Sequence, residues 1–166
     1  MPENMSPNDS DTRRERGLGW VVAQGALFVF FFIAVFAGES VSDVPGLVVV
    51  WIVGVLFAIA GAAVSLWSVL LHGSRLSPFP FPVEGMEVID TGPYHYVRHP
   101  MYSGIVLFTL GVGLAYGKPT VLLSSLTFLV FFVAKSGHEE DMMVKYMDGY
   151  RKYRSEVPWR IIPYLV

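Results

Sequence analysis

Cysteine is absent from the 166 residues, which removes disulfides, thiolate nucleophiles and cysteine-ligated zinc together. Charge is scarce as well: Asp, Glu, Lys and Arg make up 16% of the chain and the formal net charge is −2. With no basic excess and no basic stripe, a nucleic-acid partner is not expected, and no metal site is expected either. What the chain has in plenty is apolar surface. Hydrophobic residues account for 53% and the mean hydropathy is +0.50, a composition that belongs in a bilayer rather than in water.

The apolar residues fall into runs. Met1 to Asp11 is polar and contains proline, so residues 1–17 read as a disordered cytoplasmic N-terminus. Arg13, Arg14 and Arg16 then precede Leu18–Ala37, which matches the roughly 20 residues a bilayer needs. Val35-Phe36-Ala37 would pass as a signal-peptide cleavage site, but the run is longer than a signal sequence uses, and the reading is an uncleaved span. A second span covers 46–71. Its Gly54, Ala58, Gly61, Ala62 and Ser65 recur at the spacing that lets helices approach closely. Ser77 to Pro82 alternates proline with phenylalanine and cannot be helical, which leaves an interfacial strip or a stiff linker. Two shorter spans, 101–117 and 119–134, are joined at Gly117-Lys118-Pro119. Beyond them Gly137 opens an amphipathic segment with Met142, Met143, Tyr146 and Tyr150 at helical spacing, and a tail containing Trp159 and Tyr164 follows.

The expected fold class is therefore an all-α integral membrane protein. It has about four transmembrane helices plus a cytoplasmic amphipathic C-terminal helix, with 18–166 as a single domain. With four spans, one side collects Arg13, Arg14, Arg16, Arg75, Arg98, Lys135, Lys145, Arg151, Lys152, Arg154 and Arg160, and the other holds only Lys118. That asymmetry predicts a multi-pass protein with both termini cytoplasmic.

Thr91 to Gly104 is the stretch that concentrates chemistry: Tyr94, Tyr96, Tyr102, His95, His99 and Arg98 stand at the mouth of the third span. Ionisable groups there are costly unless paired or used. Topology puts Glu139 and Glu140 on the same side. A sulfonium cofactor asks for an aromatic face, a basic group for its carboxylate and an acid for its amine or hydroxyls. Tyr94, Tyr96 and Tyr102, then Arg98 or His99, then Glu139 or Glu140 can supply these. A nicotinamide or a phospholipid head group would welcome the same set, and an aromatic belt with a snorkelling Arg98 is the bland reading.

The wording of the stretch narrows this. Gly92-Pro93-Tyr94, Tyr96-Val97-Arg98-His99-Pro100, Tyr102 and Gly104 form the pattern G-P-Y-x-Y-V-R-H-P-x-Y-x-G. It resembles the signature of the isoprenylcysteine carboxyl methyltransferase family and its relatives among phospholipid methyltransferases. The tail is similar too: a glutamate pair, Tyr150-Arg151-Lys152-Tyr153-Arg154, Val157-Pro158 and Ile161-Ile162-Pro163. The resemblance runs from Glu84 to Pro163.

It implies an integral membrane enzyme that takes S-adenosylmethionine from the cytosol and methylates an acceptor resident in membrane lipid. The cofactor positions it implies are Met86, Glu87, Val88, Ile89, Tyr94, His99, Pro100, Met101, Tyr102 and the acid pair. Counted back from Tyr150 the pair falls on His138-Glu139, and by identity on Glu139-Glu140, so the register stays open. Arg98 and His99 are the catalytic candidates, and Lys135 and Arg98 the candidates for holding the acceptor. An amine acceptor would need a base, His95 or His99, although His95 between two tyrosines reads as an exposed interfacial residue. The favoured acceptor is the carboxylate of a prenylated thioether, arriving through a gap lined by Gly54 to Ser65 with Phe79 and Phe81 at its mouth. Phospholipid N-methylation, thiol S-methylation, an NADPH-dependent membrane reductase and a non-catalytic membrane protein are the rivals.

Overall fold

The computed structural model describes residues 7–41, 47–73, 76, 77, 79 and 87–165, with the backbone alone for 7–16 and 47. Met86 and Phe81 lie outside the described residues. Among the described residues the α-helices are, in order, α1 (Pro7–Ala37), α2 (Leu47–His72), α3 (Pro100–Tyr116), α4 (Pro119–Tyr146) and α5 (Tyr150–Glu156). A 3-10 turn, Gly92–His95, precedes α3, and no strand occurs among the described residues. α1, α2 and α4 are long and apolar enough to cross a bilayer, and α3 is a shorter apolar helix of 17 residues. The protein is an all-α, multi-pass membrane protein.

Two helices differ from expectation. α1 begins at Pro7, so residues 7–16 form a polar helical extension ahead of the span Gly17–Ala37 where a disordered tail was expected. α4 runs unbroken through Gly137, so the fourth span and the amphipathic segment are one helix. The reason is local: no proline interrupts Ala134 to Asp141, and a single interior glycine costs only about 1 kcal/mol. At about 1.5 Å per residue, the 28 residues of α4 span roughly 42 Å against a hydrocarbon core of about 30 Å, so its last turns project beyond the lipid. Gly149 then turns the chain at φ 81°, and Tyr150 starts α5 instead of sharing a face with Tyr146.

α2 and α3 form the closest pair. Gly54, Ala58, Gly61 and Ser65 face Ala115, Gly111, Phe108 and Gly104 in antiparallel order. A Cβ on Gly54 would lie 2.7 Å from the Gly111 carbonyl oxygen, and one on Gly104 would lie 2.6 Å from that of Gly61. The small-residue stripe is therefore filled by the α3 backbone, and the gap expected there for an acceptor is closed. Ala62, at the spacing of the stripe in sequence, points outward and is exposed. Glycine to alanine normally steadies a helix by up to about 1 kcal/mol, but the sign should reverse here. Gly61→Ala is expected to destabilise by about 1–3 kcal/mol through overpacking, whereas Gly25→Ala on α1, with nothing within 4 Å, should be neutral or stabilising. Thermal unfolding of both variants in detergent checks this, and equal shifts would refute the close approach.

α1 lies antiparallel to α4. Trp20 packs on Phe131 (5.6 Å between ring centroids) and His138 (5.9 Å), Phe28 packs on Phe128 (5.0 Å), and Gly38 meets Thr120. At that last end Lys118 Nζ donates to the Val35 carbonyl, and Val41 N donates to Gly117 O at 2.9 Å. The start of α3 and the end of α4 meet at the opposite end, and the polar residues gather there.

Candidate active site

Proline places the first components. Gly92, at φ 60°, turns the chain, and Pro93 sits in the first turn of the 3-10 helix Gly92–His95. Pro100 occupies the first turn of α3, as its fixed φ favours. Between the two prolines the chain folds inward, burying Tyr94, Val97, Arg98 and His99. It is held there by the tail: Arg98 N donates to Trp159 O (3.0 Å), His99 N to Arg160 O (2.9 Å) and Ser103 Oγ to Ile161 O (2.5 Å). Residues 157–161 thus form a strap beside the signature.

Arg98 makes a two-pronged ion pair with Glu140: Nε donates to Oε1 at 2.8 Å and Nη2 to Oε2 at 3.1 Å, while Nη1 donates to the Val157 carbonyl at 2.7 Å. The two side chains are 5% and 1% exposed, so this is a buried pair. Every guanidinium nitrogen is committed to protein partners. Arg98 is therefore a structural clamp, not the group expected to meet a ligand carboxylate or act on substrate. His99 Nε2 approaches Glu140 Oε1 at 3.3 Å, off the line of a hydrogen bond, and His99 Nδ1 lies 3.6 Å from Glu139 Oε2.

Glu139 sits in different company. The Tyr102 phenol donates to it (2.7 and 3.0 Å), and Lys135 Nζ stands 3.6 Å away. The Tyr102 ring lies parallel to Phe132 (4.2 Å) and to His99 (5.5 Å), and Lys135 Nζ is 5.4 Å from its centroid. Lys135 is 1% exposed and donates to Gln24 Oε1 at 2.6 Å. The ammonium thus turns inward and does not snorkel to the interface.

Tyr94 is anchored rather than open. Its phenol oxygen lies 3.1 Å from His72 Nδ1, and its carbonyl accepts from the Tyr153 phenol at 2.7 Å. Burial pushes the Tyr94 phenol up from its ordinary range, so it remains protonated at neutral pH. His95 and Tyr96 are exposed and pack on each other, away from the acids. Of the upstream segment, Glu87 is exposed and Val88 packs against Tyr150, Tyr153 and Val157, while Ile89 is half-buried. Met101 is half-buried and its carbonyl accepts from Ser65 Oγ at 3.1 Å. The structure thus gathers Arg98, His99, Tyr102, Lys135, Glu139 and Glu140, and leaves His95 and Tyr96 outside.

A sequence profile for phospholipid methyltransferases matches residues 49–148, more than half of the chain. The chain belongs to the phospholipid methyltransferase family. Similar curated proteins include a protein-S-isoprenylcysteine O-methyltransferase from Schizosaccharomyces pombe, 37% identical over 43% of this chain and 31% of that protein. Two Delta(14)-sterol reductases are also similar. The one from Methylotuvimicrobium alcaliphilum is 28% identical over 48% of this chain and 19% of its own length, and the one from Mus musculus is 30% identical over 55% and 25%. Each match covers less than a third of the relative's length.

The segment matched to the phospholipid methyltransferase family contains the signature and the acid pair but neither α1 nor the strap. Those outlying parts supply residues the sequence reading passed over. Gln24 was one polar residue in an apolar run, and a lone glutamine inside a span was the available signal. Arg154, part of the similar tail, and Arg160, one of its positive charges, lie 3.6 and 3.4 Å from Glu140, a partnership that neither spacing nor charge counting indicates.

Proposed function

We propose that the protein is an S-adenosylmethionine-dependent methyltransferase acting on a membrane-resident acceptor, with carboxyl O-methylation of an isoprenylcysteine-like molecule as its reaction. The observation that carries this is the buried cluster of Glu139, Tyr102 and Lys135 where the signature meets the projecting end of α4. Acid, phenol and ammonium, partly shielded from water, stand at the level where a soluble cofactor and a lipid-borne acceptor can meet.

The donor set fits the cofactor. Glu139, fixed by the Tyr102 phenol, is the acid for its ammonium, and His99 stands beside it. S-adenosylmethionine, when bound, supplies a methyl group on an electrophilic sulfonium. The protein's part is alignment and exclusion of water, which account for most of the acceleration in such a displacement. A carboxylate acceptor is already nucleophilic, so no side chain has to remove a proton. Lys135, steadied by Gln24 and by the Tyr102 ring, is the cation that orients that carboxylate. A positively charged phospholipid amine would be repelled there. The Lys and Arg distribution supports a cytoplasmic site with both termini on the same side.

Membrane vesicles test the reaction and the orientation together. Inverted vesicles carrying the protein are expected to move tritium from S-adenosylmethionine to an added farnesylcysteine analogue, and right-side-out vesicles are not. Label on phosphatidylethanolamine instead would replace the acceptor, and equal labelling of both vesicle types would overturn the orientation. No transfer to any acceptor, with saturable NADPH binding, would favour a reductase like the sterol reductases.

A further inference from the structure

The surroundings of Glu140 have more donor capacity than the protein uses. Among the described residues, the buried side-chain polar atoms without a hydrogen-bond partner are His99 Nε2, the Tyr150 phenol oxygen and Arg160 Nε. Two of them lie against the same carboxylate oxygen, Glu140 Oε1, at 3.3 and 3.4 Å. The third belongs to Tyr150, which stands one helical turn before Arg154 on α5 and so shares a face with it. Arg154 Nε in turn stands 3.6 Å from Glu140 Oε2. Orphaned polar atoms are uncommon in native interiors, and each needs a reason.

Charge points the same way. Arg98 alone satisfies both Glu140 oxygens, while Glu139 answers Lys135. Arg154 and Arg160 are therefore cations in excess, and their side chains remain 44% and 27% exposed at the edge of the strap. Planar guanidiniums beside a phenol suit a carboxylate, which they can grip through two parallel hydrogen bonds.

We propose that Arg154 and Arg160, with Tyr150 and His99, form a carboxylate subsite, and that it holds the carboxylate of the cofactor's amino-acid moiety. This rests on the methyltransferase reading above. The amine and carboxylate of an α-amino acid hang from one carbon, so their subsites must adjoin. His99 provides that junction, reaching Glu139 with one ring nitrogen and Glu140 with the other. The subsite also lies on α5 and the strap, alongside the last turns of α4 at Gly137 and Glu140, where a water-soluble molecule arrives. Lys135, the acceptor's cation, lies more than a turn deeper along α4.

Calorimetric titration of the full-length protein in detergent tests the subsite with two ligands. One is S-adenosylhomocysteine; the other is S-adenosyl-3-thiopropylamine, which keeps the amine and lacks the carboxylate. The wild-type protein should prefer S-adenosylhomocysteine by about 10–100-fold, the worth of a charge-assisted contact. Arg154→Met and Arg160→Met should each shrink that preference without weakening the carboxylate-free ligand. Arg160→Lys should retain part of it, and serves if the Met variant does not fold. Equal wild-type affinity for both ligands, or an undiminished preference in the variants, overturns the subsite. If neither ligand binds the wild-type protein, the cofactor reading falls as well.

Discussion

Arg98→Ala is expected to lower folding stability by about 3–5 kcal/mol, because it strands a buried carboxylate. Glu140 is 1% exposed and receives two of its hydrogen bonds from Arg98, and the Val157 carbonyl would lose its donor in the same stroke. Arg154 and Arg160 stand at 3.6 and 3.4 Å and would soften the loss without reproducing the fork. Arg98→Lys should recover little, since an ammonium is a point charge and cannot grip both oxygens. The double variant Arg98→Met with Glu140→Met should regain much of the stability, because removing both charges removes the desolvation that neither alone can escape. Thermal and denaturant unfolding in detergent measure all three. An Arg98→Ala protein that melts with the wild type would show that the pair does not hold the strap to the signature.

The neighbouring acid should behave in the opposite way. Glu139→Gln is expected to leave the fold intact and weaken S-adenosylhomocysteine binding by about 10–100-fold, the worth of a charged hydrogen bond. Glutamine keeps the shape and still accepts the Tyr102 phenol. What it lacks is the charge, and in the wild-type protein that charge is only loosely answered, with Lys135 and His99 both at 3.6 Å. Glu140→Gln, run beside it, should lose stability first. Unaltered binding in Glu139→Gln would move the amine site elsewhere and reopen the register of the acid pair.

Much of this architecture was legible in one dimension. Runs of apolar residues gave the spans, and the Pro93 and Pro100 punctuation placed the loop and the start of α3. The signature and the acid pair could be brought to one side by charge counting. Partnership within the cluster was not legible. A buried Arg98 and a snorkelling Arg98 leave the same mark in a sequence, and only a chain folded over 42 residues shows that Glu140 is its partner. Composition likewise cannot say which arginine of the tail turns inward: Arg151 is exposed on α5, whereas Arg160 lies beside Glu140. Ala62 next to Gly61 shows the limit of spacing arguments in a helix, since about 100° of rotation separates a packed glycine from a lipid-facing alanine.

The Arg98 clamp also has a history in time. Glu140 follows Arg98 by 42 residues and Val157 by 59, so at about 5–20 residues per second the arginine waits roughly 2–12 s after its synthesis for its partners. Throughout that interval it is an unneutralised cation next to a helix entering the bilayer, and a positive charge in that position weighs on which way the helix inserts. One guanidinium therefore does two successive jobs, first as a vote on topology and then as the clasp of a finished site.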